Sequence, residues 1–170
     1  MIKHFKSKLP GVITAVISGV IVGIVISNYN MITELNHKDE SIISLVKQEL
    51  TTNQDIIKSN QLVLESDVKL RSKNVSIVNP LNKLNSDLWD IVKFNTPKKL
   101  IEREGLLSKI RNIYRLTDEI NSTISSRENY KISNEGRLEN YEIRMQQYNI
   151  ILLEKNKLAY QAIEELKPFL

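Results

Sequence analysis

The sequence predicts an all-α protein: one N-terminal transmembrane helix followed by an elongated helical bundle of coiled-coil-like character. Three observations point there. Only 5 Gly and 4 Pro occur in 170 residues, too few for the frequent turns of a sandwich or barrel. Leu9 to Ile26 holds no charged residue, and a helix of about 20 residues crosses a hydrocarbon core of about 30 Å. Downstream, apolar residues recur at three-four spacing through stretches free of Gly and Pro, the period of a helix with one buried face.

Residues 1–8 form a basic flank, with Lys3, Lys6 and Lys8 and no acidic residue. The span is expected over 9–28, and Pro10 suits its first turn, where a missing N–H goes unnoticed. A cleaved signal peptide, cut ahead of Asn28, is the competing reading, but signal apolar regions run about 7 to 15 residues and this one is longer. A pilin-like leader is a third, without a convincing processing site. The flanking lysines predict a cytoplasmic N-terminus and a C-terminal domain outside the membrane. Within the span, Gly11, Ala15, Gly19, Gly23 and Ser27 stand four apart. That spacing lines them along one helix side as a candidate association face, with Gly19 and Gly23 forming a GxxxG pair.

The exported part, 29–170, is expected to hold four helices. The first spans about 31–72, with Ile43, Leu50, Ile57 and Leu64 seven apart and Leu35, Ile42, Ile56, Val63 and Leu70 beside them, a stripe too wide for a two-stranded seam. Val46, Asn53 and Asn60 take the alternate seam positions; the amides either fix register or are partly exposed. The segment Ser72–Pro80 breaks the helix, because the residue before proline is pushed out of helical geometry. A second helix is predicted over 80–94, with Pro80 in its first turn. A third covers 100–126, with Thr96 as a possible N-cap before Pro97 and Gly105 interrupting its start. The last covers 137–167, with Leu138, Tyr141, Met145, Tyr148, Leu152, Lys155, Ala159, Ala162 and Leu166 as its seam, and Pro168 ends it.

The net charge of +4 belongs almost wholly to the flank: beyond Ser27 there are 21 basic and 20 acidic residues. A nucleic-acid partner is therefore not expected, since phosphate neutralisation needs a concentrated basic surface. Cys is absent, which removes disulfides, thiolate metal sites and thiol nucleophiles together. Glu34 and His37 have the ExxH spacing of di-iron bundles, but such sites need a second copy and further carboxylates. Glu135, Glu139, Glu142, Arg137 and Arg144 read as exposed intrahelical pairs. No nucleophile-base set or phosphate-cradling Gly loop is present, so neither an enzyme nor a cofactor is expected. Asn74 and Asn121 fit the glycosylation sequon, Asn74 in a loop and Asn121 within a helix.

The block Ser86–Ile124, with Trp89, Leu106, Leu107, Ile113, Tyr114, Ile120 and Asn121 at matching positions, resembles a segment of uncharacterised, N-terminally membrane-anchored helical proteins of archaea and bacteria. The resemblance covers about a quarter of the chain and implies no activity. Trp89 and Tyr114 are expected to bring large apolar areas to a helix contact. With Leu138, Tyr141, Tyr148 and Leu152 they are the candidate packing anchors. The expected role is an interaction or scaffold module that self-associates or meets a membrane protein. The alternative is an exported ligand-sensing or binding bundle that works through a membrane partner.

Overall fold

The computed structural model describes residues 23–68, 78–103, 105–133 and 140–170 in full and the backbone alone of 9–22, 69–71 and 134. Every regular element among the described residues is helical, with no strand: α1 (Leu9–Arg71), α2 (Asp87–Phe94), α3 (Lys98–Glu102), α4 (Leu106–Asn134), α5 (Tyr141–Leu166) and a closing 3₁₀ turn (Lys167–Phe169). The chain falls into two units, Met1–Glu40 and Ser41–Leu170.

In the first unit the fully described part of α1 leaves Ile24, Val25, Ile26, Tyr29, Met31, Ile32 and Leu35 exposed. Among the described residues no helix is long and apolar enough to cross a membrane. The expected span, 9–28, lies mostly outside the fully described residues, as do the side chains of Gly11, Ala15 and Gly19.

The second unit is a bundle of three long helices: α1 from Ser41 onward, α4 and α5. Here α1 buries Ile42, Val46, Leu50, Asn53, Ile57, Asn60, Leu64 and Asp67, with steps of four and three alternating from Val46 on, the seam of a packed helix. From Leu50 on, this seam alternates apolar with polar. In α4 the corresponding row is Ile110, Ile113, Thr117, Ile120, Ile124 and Arg127. Fully buried Ile57, Leu64, Ile120, Ile124 and Leu152 each contribute about 1.5–3 kcal/mol relative to exposure.

Helix directions follow from the cross-links. Glu49 meets Tyr114 and Asp67 meets Arg127, so α1 and α4 run parallel. Glu119 meets Lys155 and Arg127 meets Asn149, so α4 and α5 run antiparallel. Parallel neighbours need a return between them, and residues 78–86 make it, descending along α1 in extended form.

This return corrects the helix predicted over 80–94. Pro80 through Ser86 lies outside any helix, and α2 begins only at Asp87. Pro80 is compatible with a helix start, but the backbone of Asn82, Leu84 and Asn85 is bonded to side chains of α1 and α4, so it has no call on helical partners. Thr96 does not cap α3 either: its hydroxyl donates back to Val92 O at 2.9 Å, and the N-cap position is Pro97.

Two further corrections concern α4 and α5. The helix expected to stop near Ser126 runs to Asn134, because Arg127 is buried at its core face and Tyr130 stacks on Tyr141; tertiary contacts override the polar composition. The α5 seam is Met145, Asn149, Leu152, Asn156, Ala159, Ile163 and Leu166, rotated from the predicted row. Tyr148, Lys155 and Ala162 are only half-buried, and Leu138 lies outside the described residues. The predicted row follows three-four spacing alone, and it shares Met145, Leu152, Ala159 and Leu166 with the seam that is buried.

Candidate functional site

The site is the channel between α1 and α4 in which the return lies. Three asparagines each hold a single residue of it by both its N–H and its C=O. The Asn53 amide donates to Asn85 O at 2.8 Å and accepts from Asn85 N at 2.7 Å. Asn60 does the same to Asn82, at 2.7 and 3.0 Å. On the opposite wall Asn121 holds Leu84, at 2.8 Å in each direction. A fourth position is acidic: Asp67 accepts from the backbone N and side-chain amide of Asn79, at 3.3 and 2.6 Å.

The spacing explains why the segment is extended. Contacts on α1 fall at residues 53, 60 and 67, seven apart, about 10.5 Å per step at helical rise. Their partners at 85, 82 and 79 are three apart, about 9.3 Å at the rise of a polyproline-II path with its three-residue turn. The two periods nearly match, so one side of α1 meets one side of the return. Leu81 and Leu84 turn into the core, while Pro80, Asn82, Lys83 and Asn85 are exposed. Pro80 sits where no N–H is used.

Both ends of the channel are closed by charge. At the upper end the Arg127 guanidinium, 1% exposed, donates to Asp67 Oδ2 at 2.9 Å, Asn149 Oδ1 at 2.8 Å and Asn79 O at 3.0 Å. It thereby ties α1, α4, α5 and the return together. Burial pulls its pKa down, and the Asp67 carboxylate opposes that shift. Lys131 adds a bond to Val78 O at 3.0 Å. At the lower end Glu49 accepts from the Tyr114 hydroxyl at 2.6 Å and from Leu88 N, in the first turn of α2, at 3.3 Å. Burial, and then the bond to Glu49, drives the Tyr114 pKa well above the ordinary tyrosine value.

Trp89 stacks on Tyr114 with ring centroids 5.2 Å apart, which seats α2 on α4. Tyr141 and Tyr148 instead gather around Tyr130 at 5.8 and 6.1 Å, and Leu152 lies in the core. Of the small residues, Gly23 and Ser27 are exposed, and a Cβ at Gly23 would meet nothing within 4 Å. Glu34 and His37 are exposed on α1. Among the described residues no group of His, Asp or Glu is placed to hold a metal. Asn74 lies outside the described residues, and Asn121 spends its amide on Leu84.

Sequence reasoning passed over Asp67, Glu49 and Arg127, and it left the seam asparagines undecided between register and exposure. They are buried, Asn53 at 0% and Asn60 at 1%. The available signal was the pairing of two repeats: Asn79, Asn82 and Asn85 three apart, and Asn53 and Asn60 seven apart. Among the described residues, Thr117 Oγ1 and the whole Asn156 amide stay unbonded by the chain, each carrying a desolvation cost of about 1–3 kcal/mol.

What the channel can do chemically is hold an extended backbone, since carboxamides that donate and accept side by side read the peptide group rather than the side chain. Fold and site together define an all-α bundle with parallel first and second long helices joined through a clasped, extended return. No family model, curated protein or solved structure matches the chain.

Proposed function

We propose that this is a single-pass, membrane-anchored helical protein, with its N-terminus in the cytoplasm, that serves as an interaction or scaffold module outside the cytoplasmic membrane and catalyses no reaction. The observation that carries the reading is the uncharged run Leu9–Ile26 behind Lys3, Lys6 and Lys8. Support comes from Ile24, Val25 and Ile26, exposed at the end of that run, where apolar side chains suit lipid or a neighbouring helix. The small residues from Gly11 to Ser27 are the face through which copies, or a membrane partner, would pack.

The test uses the absence of cysteine. A Lys38→Cys chain in intact cells is expected to react with a membrane-impermeant maleimide, and the protein is expected to resist carbonate extraction while dissolving in detergent. Release by carbonate, or protection of Cys at position 38, overturns the reading. Gly19→Ile with Gly23→Ile is expected to weaken association of the span in a membrane assay while leaving insertion intact.

A second reading, an exported ligand-binding bundle that works through a membrane partner, is favoured by the unbonded Asn156 amide and Thr117 hydroxyl. Buried polar groups without partners are where a small polar ligand gains most. Asn156→Leu distinguishes the two: a variant that is more stable and keeps its partners speaks against a ligand there.

A further inference from the structure

The channel between α1 and α4 treats its occupant as a peptide ligand. Its grip on residues 79, 82, 84 and 85 falls on backbone N–H and C=O groups, supplied by Asp67, Asn60, Asn121 and Asn53. Of the occupant's own side chains, Leu81 and Leu84 are buried and Asn79 meets Asp67, while Pro80, Asn82, Lys83 and Asn85 face solvent. Such recognition selects a path and two apolar residues three apart, and it tolerates any sequence that leaves the gripped N–H groups free.

The walls also set a condition on the empty channel. Asn53, Asn60 and Asp67 are buried in the seam of α1, and removing the occupant would strand their donors and acceptors. A departing return leaves these groups to water, or to a segment that offers the same backbone pattern.

We infer that the channel is a peptide-binding groove occupied in cis, and that its exchange ligand is an extended segment of a partner protein with two large apolar residues at positions i and i+3. Residues 78–86 act as a built-in competitor that keeps the groove filled until such a segment displaces them. The inference rests on the interaction-module reading and gives that module a recognition chemistry. It does not depend on the membrane anchor, so carbonate extraction and the experiment below fail separately.

The probe is a synthetic peptide of residues 78–86, blocked at both termini and labelled on the exposed Lys83 side chain. It is titrated by fluorescence anisotropy into the purified full chain in detergent, as wild type and as Leu81→Ser with Leu84→Ser, which loosens the return and leaves every wall residue in place. Saturable binding to the loosened chain, at least about tenfold tighter than to wild type, is expected. N-methylation of the probe at positions 82 and 85 removes two hydrogen bonds and is expected to weaken it at least about tenfold. Asn60→Leu in the loosened chain is expected to do the same. Absence of saturable binding to a loosened chain that keeps its helical circular dichroism overturns the proposal, as does binding indifferent to N-methylation. Should the loosened chain not fold, amide exchange on wild type decides. Amides of Asn82, Leu84 and Asn85 exchanging faster than those of Leu50 and Ile57 support a return that opens alone; equal rates, set by global unfolding, overturn it.

Discussion

A carboxamide carries a donor and an acceptor side by side on one carbon, the pair that a residue's own C=O and N–H complement. Asn60 uses both on Asn82, so Asn60→Leu removes two bonds and strands a peptide group beside the core. Urea unfolding is expected to show a loss of about 1–3 kcal/mol, whereas Leu62→Ala, at an exposed position of the same helix, changes stability by less than about 0.5 kcal/mol. At Arg127 the stakes are larger. Arg127→Met leaves Asp67 as a buried charge without its partner and is expected to cost about 3–5 kcal/mol, while Arg127→Met with Asp67→Leu recovers a substantial share of that loss. Tyr114 supplies the pH dependence. The folded protein holds its phenolic proton more tightly than the unfolded chain does. Its contribution is therefore intact below the unfolded pKa of about 10 and is lost as pH rises beyond it. Tyrosinate absorbance is expected to show Tyr114 ionising together with alkaline unfolding, and Tyr114→Phe is expected to flatten the stability loss between neutral pH and that range.

Among the elements, the return is the one whose conformation its own residues do not dictate. Because the clasp reads peptide groups, Asn82→Ala, which trims an exposed side chain, is expected to leave the denaturation midpoint nearly unchanged. Asn82→Pro, which deletes the N–H that Asn60 accepts, is expected to cost about 1–3 kcal/mol. Equal effects would mean that the side chain, not the backbone, is held. The same physics explains what was legible in advance. The periodicity of α1, α4 and α5 follows from spacing alone, because apolar positions at three-four steps have few other ways to be buried. The extended return was hidden, because Pro80 and the residues after it are equally acceptable as a helix start. Only the distant asparagines at 53, 60 and 121 decide the matter. Asn149 was hidden for a related reason: an amide reads as a surface residue until its partner is known, and Arg127 is 22 positions away.

For the whole molecule, parallel packing of α1 and α4 sets the order in which the bundle can assemble. The contacts of the return on α1 join residues 12, 22 and 32 positions apart, at Asn79, Asn82 and Asn85 in turn. Contacts that bring α4 to α1 span 60 and 65 positions, and the bond from α1 to α5 spans 110. Closing a loop grows more costly only with the logarithm of its length, so each further step of the return adds about 0.5 kcal/mol or less of closure entropy. The clasp can thus close like a zipper from Asn79 downward, one asparagine at a time, before either remaining helix has docked. A nucleus made of α1 and the return places Asn60 inside the folding transition state and Arg127 outside it. In chevron measurements Asn60→Ala is then expected to slow refolding, and Arg127→Met to act chiefly by speeding unfolding. What holds the two parallel helices together in the finished bundle is, on this account, also the template on which the second of them arrives.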